Sequence, residues 1–243
     1  MVDDSGAVER AAGTRASASI EGGVGGARAA GAAGIASVVL VVAGRVVAGS
    51  VPNVTASAHT IASYYAKRSH WHRQEAGLVL GALSMVFFLW FLGGLRARLR
   101  AGERVGAPLS SVVLAAGVAF AVLYAALSTM RGVIAFALDG SHAFRAAALD
   151  PQLVRSLEEA RSLFFLHALV AGAVLIAGSS LLALRTGVRA RWLGAGGLAV
   201  AALVLVGAFV ASGAVFLLLA WILVVGVVLI AQPHPARTRS GSS

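Results

Sequence analysis

Six long apolar stretches constrain this chain more than any other feature of its sequence. They cover 31–51, 76–95, 109–130, 162–184, 193–212 and 214–231. A helix needs roughly 20 mostly apolar residues to cross the hydrocarbon core of a bilayer. Helices satisfy their backbone hydrogen bonds internally, which lipid requires. The sequence therefore predicts an all-α, polytopic membrane helix bundle with six transmembrane helices, formed by residues 31–231.

The composition supports this class and excludes several kinds of chemistry. Hydrophobic residues make up 58% of the chain and charged residues 12%, against about 25% charged in soluble domains. Cysteine is absent, which excludes disulfides, thiol nucleophiles and iron–sulfur clusters. The sequence also lacks a His-Glu-x-x-His motif, a Gly-x-Ser-x-Gly motif and a P-loop. We expect no cofactor and no enzymatic activity.

The charges between the stretches predict how the bundle is oriented. Lys and Arg accumulate on the cytoplasmic side of membrane proteins. Twelve of the 20 basic residues lie on one side of the six spans and seven on the other. Both termini are therefore predicted to be cytoplasmic, with loops 52–75 and 131–161 facing outward. Of the net charge of +10, seven units lie in the predicted cytoplasmic loops and tails, where they are expected to meet anionic lipid headgroups of the cell membrane rather than nucleic acid.

The two ends of the chain are predicted to be tails. Residues 1–30 are rich in Gly, Ala and Ser and hold no apolar run, which predicts a disordered cytoplasmic tail. They also lack the basic start and short apolar run of a cleaved signal peptide. The first span should therefore remain as an anchor, ending at Pro52 because proline cannot continue a helix. Residues 232–243 are predicted to form a second cytoplasmic tail.

Both outward loops are expected to be partly helical. After Pro52, Thr55 or Ser57 can cap a short helix whose positions 58, 61, 62 and 65 form one apolar stripe. We expect this helix to lie on the outer membrane surface, with its tyrosines and Trp71 at interface depth. In the second loop, Asp150-Pro151 predicts the start of a helix that continues into the fourth span.

Arg45 and His167 are the candidate functional residues inside the spans. Charge within a membrane is costly, so Arg45 is interpreted as an anion site, as a buried ion-pair partner, or as a side chain that snorkels to the headgroups. The snorkelling interpretation is preferred. His167 is interpreted as a hydrogen-bonded structural residue rather than a proton relay or haem ligand. All ten acidic residues fall outside the spans, which argues against an ion-driven transporter.

The segment 70–72, His-Trp-His, together with Glu75 resembles a metal cluster. Zinc needs three or four converging ligands, and on a helix only His72 and Glu75 share a face. His59 or His142 would have to supply a further ligand. A solvated cluster at the membrane interface is the preferred interpretation.

Several short segments resemble a family of uncharacterised multi-pass membrane proteins that are abundant in actinobacteria. They are 62–65 (ASYY), 88–100 (FLWFLGGLRARLR), 149–151 (LDP), 184–188 (LRTGV) and 191–193 (RWL). The resemblance extends over about residues 35–231. The chain departs from it at Arg45 and in the long Gly-rich tail. The family is a domain of unknown function, so the resemblance implies the topology and no catalytic residue.

The leading functional hypothesis is a non-enzymatic structural or interaction component of the membrane. A small-solute or lipid transporter is the alternative, supported by Arg45, His167 and the polar outer loops. An intramembrane enzyme ranks last, because Glu158-Glu159 departs in spacing from the motif of CAAX-type proteases. A haem protein ranks with it, because haem would need a second histidine on another helix at the depth of His167. Small-residue motifs at Gly77-x-x-x-Gly81 and, more weakly, Gly207-x-x-x-Ala211 are expected to serve internal packing, with a homo-oligomer as the alternative.

The predicted orientation can be tested with reporter fusions. Alkaline phosphatase is active only outside the cytoplasm, so a fusion after Gly102 should be inactive and a fusion within 131–161 should be active. The measurement is phosphatase activity normalised to the amount of fusion protein in the membrane. Activity after Gly102 would contradict this topology.

Overall fold

The computed structural model describes residues 5–52, 55–103, 108–140, 150–185, 191–210 and 213–231. Within these ranges it has seven helices and no strand. They are α1 (Ser5–Ala48), α2 (Ala58–Tyr65), α3 (Arg68–Ala101), α4 (Leu109–Gly140), α5 (Pro151–Arg185), α6 (Arg191–Val210) and α7 (Ala214–Ala231). Six of them, all except α2, are long and apolar enough to cross a membrane. The all-α class and the six spans are thus confirmed.

Four of the helices, α1, α3, α4 and α5, are longer than a bilayer requires. The 34 residues of α3 extend about 51 Å at 1.5 Å per residue, whereas the hydrocarbon core is about 30 Å thick. The sequence predicts spans of 76–95, 109–130 and 162–184, but α3, α4 and α5 continue as helices through most of the flanking loops. The extensions at the start of α3, the end of α4 and the start of α5 lie together at the end of the bundle where α2 packs, which we call the α2 end.

Helix α1 differs from its prediction at both ends. It begins at Ser5, although residues 1–30 are predicted to be disordered, because the segment is rich in alanine and no proline precedes Pro52. It stops at Ala48 rather than at Pro52. Gly49 takes a left-handed φ of 68°, and its N–H donates to the Arg45 carbonyl at 3.2 Å, a common way to end a helix. The predicted tail 232–243 lies outside the described residues.

Polar side chains fix several helix starts. The Ser57 hydroxyl accepts the Thr60 N–H at 3.1 Å, and the Asp150 carboxylate accepts the Gln152 N–H at 2.9 Å. Both starts are as predicted, and α5 runs without a break into its span. Glu103 provides a cap that the sequence did not reveal, because its carboxylate accepts the Ser110 N–H at 3.1 Å. The hydrogen bond to Ser110 holds the pKa of Glu103 below its ordinary value.

The six long helices form a closed ring of antiparallel neighbours. Around the bundle the order is α1, α3, α4, α5, α6 and α7, and α7 packs against both α5 and α1. Helices α6 and α7 are separate and in contact, with Gly213 immediately before α7. They therefore form the predicted hairpin. The first and last spans of the chain are direct neighbours.

An apolar core fills this ring, and apolar side chains also cover its outside. Phe88 of α3 meets Phe120 of α4 with ring centroids 5.2 Å apart. On the outside, Phe209 is 72% exposed and Val210 is 79% exposed. Soluble monomers rarely expose contiguous apolar surface on this scale. The fully buried core includes Phe88, Phe91, Leu92, Val113, Leu175, Ile176, Val204, Leu218 and Ile222.

Glycines let α1 approach its two neighbours closely. A Cβ at Gly77 would lie 2.6 Å from the Cβ of Ala48, and a Cβ at Gly226 would lie 2.9 Å from the carbonyl oxygen of Gly31. Gly77 therefore packs against α1, as expected for internal packing. The nearest atom to a Cβ at Gly81 would be Ser128 Oγ of α4, at 3.9 Å.

The adjacent pair Gly93 and Gly94 gives a matched test of this packing. A Cβ at Gly94 would collide with the Cβ of Ala30, whereas a Cβ at Gly93 has nothing within 4 Å. We expect Gly94→Ala to destabilise the protein by about 1–3 kcal/mol, as overpacking does. Gly93→Ala should be neutral or stabilise it by up to about 1 kcal/mol. The measurement is thermal unfolding in detergent, and equal effects of the two substitutions would contradict the close approach of α1 and α3.

Candidate functional site

Several polar side chains at the α2 end of the bundle converge on the last residues of α1. The last carbonyls of a helix have no partner within it, and here α3 supplies two of the missing donors. Arg73 Nε donates to the Val47 carbonyl at 3.0 Å, and Gln74 Nε2 donates to the Ala48 carbonyl at 2.8 Å. The end of α1 is thereby attached to the first turns of α3.

Two further arginines bond the next carbonyl. Arg45 Nη1 donates to the Gly49 carbonyl at 3.2 Å, and Arg131 Nη2 of α4 donates to the same oxygen. We call Arg45, Arg73, Gln74 and Arg131 the carbonyl cap. Its three guanidinium groups lie where the dipole of α1 is negative, and a cation at a helix C-terminus is stabilising.

Arg45 therefore has a definite structural environment. Its side chain is exposed, and its guanidinium is bonded to the end of its own helix. Arg131 is half-buried and joins α4 to α1. The sequence placed the end of the first span at Pro52 and so did not reveal that the Gly49 carbonyl would be free to accept these two hydrogen bonds.

Gln74 joins three helices although sequence reasoning did not single it out. Its side chain is 3% exposed. Besides the Ala48 carbonyl of α1, its amide donates to the Tyr64 hydroxyl of α2 at 2.9 Å. A lone glutamine just before an apolar run carries no recognisable motif, so only the structure reveals this role.

One face of helix α2 packs on the other helices of the α2 end. Ile61 and Tyr65, two members of its predicted stripe, are 1% and 3% exposed and contact Ile134 and Leu138 of α4 and Val154 of α5. Arg155, near the start of α5, donates a hydrogen bond to the Ala56 carbonyl, just before α2, at 3.1 Å. Burial raises the pKa of Tyr65 above its ordinary value.

Two of the three side chains in the His-Trp-His segment bond the end of α2. His70 Nδ1 donates to the Tyr64 carbonyl at 2.8 Å, and Trp71 Nε1 donates to the Tyr65 carbonyl at 2.8 Å. The His70 ring also stacks on Tyr64, with centroids 4.2 Å apart. These two residues thus satisfy the last carbonyls of α2. The sequence predicts Trp71 at interface depth, and the structure adds that its indole N–H is bonded to the end of α2.

His72 faces a different set of groups. Its Nδ1 lies 3.6 Å from Glu75 Oε2, and the ligand atoms of His72, Glu75 and Asp139 all lie within 4.8 Å of one another. Asp139, in the last turns of α4, also pairs with Arg68 at 3.5 Å. The structure thus brings Asp139 to the place for which the sequence offered His59 or His142. His142 itself lies outside the described residues.

His167 and Glu158 have partners on their own helix. His167 is exposed, and its Nδ1 donates to the Leu163 carbonyl of its own helix at 2.7 Å. Arg161 Nε bonds Glu158 Oε2 at 2.7 Å, one turn away on the same helix. These hydrogen bonds do not join His167 to Arg45 or to the carbonyl cap.

An open pocket of ≈ 490 Å³ lies between the end of α1 and α2. It is lined by residues 48–52 of the α1 end, by Thr60 and Tyr64 of α2, and by His70 and Arg73 of α3. All of these residues belong to the α2 end, so the pocket does not extend along the axis of the bundle.

The comparisons with known proteins add no further constraint. No protein-family model matches the chain, and neither a curated protein nor a solved structure matches it. The fold and the site define a class of protein, a multi-pass helical membrane protein with the carbonyl cap at one end of its bundle.

Gln74 tests whether the carbonyl cap contributes to stability. Gln74→Ala should lower the free energy of unfolding by about 1–3 kcal/mol, because the buried Ala48 carbonyl loses its donor. Gln152→Ala is the matched control, since the Gln152 side chain is exposed. Thermal unfolding of both variants in detergent is the measurement. A Gln74→Ala protein as stable as the control would show that the cap is energetically neutral.

Proposed function

We propose that the protein is a non-enzymatic structural or interaction component of the cell membrane. The observation that carries this proposal is the use of the polar side chains at the α2 end. Arg73, Gln74 and Arg131 bond the carbonyls of α1, and His70 and Trp71 bond those of α2. These side chains hold helix ends in place, a task that needs no substrate.

The proposal includes an orientation and a lipid contact. In it, both termini are cytoplasmic and the α2 end faces outward, in agreement with the excess of Lys and Arg at the opposite end. That opposite end carries Arg96, Arg98 and Arg100 at the end of α3 and Arg185 at the end of α5. These side chains lie at the height of the headgroups, where they can attract anionic lipids.

The resemblance to actinobacterial membrane proteins of unknown function remains part of this proposal. It is supported by the segments quoted above. A homo-oligomer would need a surface other than Gly77, because α1 already covers that glycine.

A small-solute or lipid transporter is the second candidate. The observation in its favour is the open pocket beside the end of α1, which is large enough to accept a small ligand. Against it, the pocket is confined to the α2 end, and the core of the ring is filled by apolar side chains.

Rescue of a deletion strain distinguishes the two candidates. Under the structural proposal, Arg45→Ala, His167→Ala and Ser50→Trp should each restore the phenotype at normal membrane levels. Ser50 is exposed and lines the pocket, so a tryptophan there would obstruct ligand entry without removing any member of the carbonyl cap. The measurement is growth of the complemented strain, together with immunoblots of its membranes.

Two results would overturn the structural proposal. Failure of Ser50→Trp alone would favour a ligand pocket and therefore the transporter. Failure of both Arg45→Ala and His167→Ala, despite normal membrane levels, would assign these residues a function beyond structure. Gly93→Ala is the matched control, because it adds a side-chain atom where nothing lies within 4 Å.

A further inference from the structure

We propose that His72, Glu75 and Asp139 form a divalent-cation site, with zinc as the ion that suits it best. The site goes beyond the proposed structural role and does not depend on it. Its basis is the juxtaposition, on two different helices, of one imidazole and two carboxylates whose ligand atoms lie within 4.8 Å of one another.

The donor set and the distances match zinc chemistry. Zinc takes imidazole nitrogen and carboxylate oxygen at about 2.0–2.2 Å, with three protein ligands and a water in many sites. In a tetrahedron with bonds of that length, neighbouring ligand atoms are about 3.4 Å apart. His72 Nδ1 and Glu75 Oε2 are already 3.6 Å apart. A carboxylate oxygen of Asp139, whose side chain is 30% exposed, lies within 4.8 Å of the ligand atoms of both.

The backbone holds these residues in register. His72 and Glu75 are three residues apart on α3 and therefore share a face. Asp139 approaches from the antiparallel helix α4, which packs closely on α3 in this region. A Cβ at Gly132 would lie 3.0 Å from Leu78 Cδ2. The third ligand is thus supplied by helix packing, and the preceding residue, Leu138, is itself buried beneath α2.

His70 does not compete for the ion, because the structure gives it another task. It is bonded to the Tyr64 carbonyl and stacked on the Tyr64 ring. His72, two residues later, points to the opposite side and meets the carboxylates. The His-Trp-His segment therefore contributes one ligand rather than two.

Arg68 competes with a metal ion for the carboxylate of Asp139. Its guanidinium lies 3.5 Å from Asp139 Oδ1, and its side chain is 70% exposed. Ion pairs this exposed are weak, so a bound zinc ion can displace Arg68 from Asp139. Removal of the Arg68 charge should therefore strengthen metal binding, which an incidental histidine–zinc contact would not predict.

Zinc titration of the full-length protein tests the site. The protein is purified in detergent with a tag that contains no histidine, and Zn²⁺ is titrated in competition with a chelating dye. His72→Gln and Asp139→Asn should each weaken the tightest site by at least tenfold, since even loss of outer-shell partners costs 10–100-fold. Arg68→Gln should tighten it by about two- to fivefold, the equivalent of one exposed ion pair.

His59→Gln is the matched control, because His59 is an exposed histidine on α2 outside the cluster. It should leave the affinity unchanged. Thermal unfolding without metal checks that each variant is folded, and Zn²⁺ should raise the unfolding temperature of the wild-type protein but not of Asp139→Asn. Equal zinc affinity in wild-type and Asp139→Asn protein would overturn the site, as would weaker binding by Arg68→Gln.

Discussion

The need to satisfy the carbonyls at the end of α1 determines the architecture of the α2 end. A helix that stops near the membrane boundary leaves carbonyl groups without partners, and unpaired polar groups are costly where water is scarce. Arg73 and Gln74 can reach these carbonyls only because α3 begins before its span. Arg131 reaches them because α4 continues beyond its own. The extra length of both helices is therefore part of how α1 ends.

The same extensions explain how α2 is held against the bundle. An eight-residue helix is marginal by itself. The ends of α4 and α5 give its apolar stripe a surface to bury against, and α3 supplies donors for its last carbonyls. Gln74 contacts both α1 and α2, so the two helix ends are stabilised as one unit.

Much of the fold could be predicted from local chemistry, whereas the site could not. The six apolar stretches, the caps at Ser57 and Asp150 and the turn at Gly213 depend on short-range rules that hold within one helix. The site depends on which helices are neighbours. Gln74 and Asp139 carry no motif, and their roles follow from contacts with residues 26 and 64–67 positions away in the chain. The Gly, Ala and Ser content of residues 1–30 suggested disorder. The start of α1 at Ser5 was therefore not predicted, although the alanines of this segment favour a helix.

The contact between α1 and α7 has a consequence for biosynthesis. Gly31 belongs to α1 and Gly226 to α7, so the first is synthesised well before the second, yet they pack against each other. The face of α1 that contains Gly31 must therefore stay in lipid, or against another protein, until α7 is inserted. A chain that stops before α7 would keep this small-residue face open, and membrane quality control could distinguish it from the six-helix bundle.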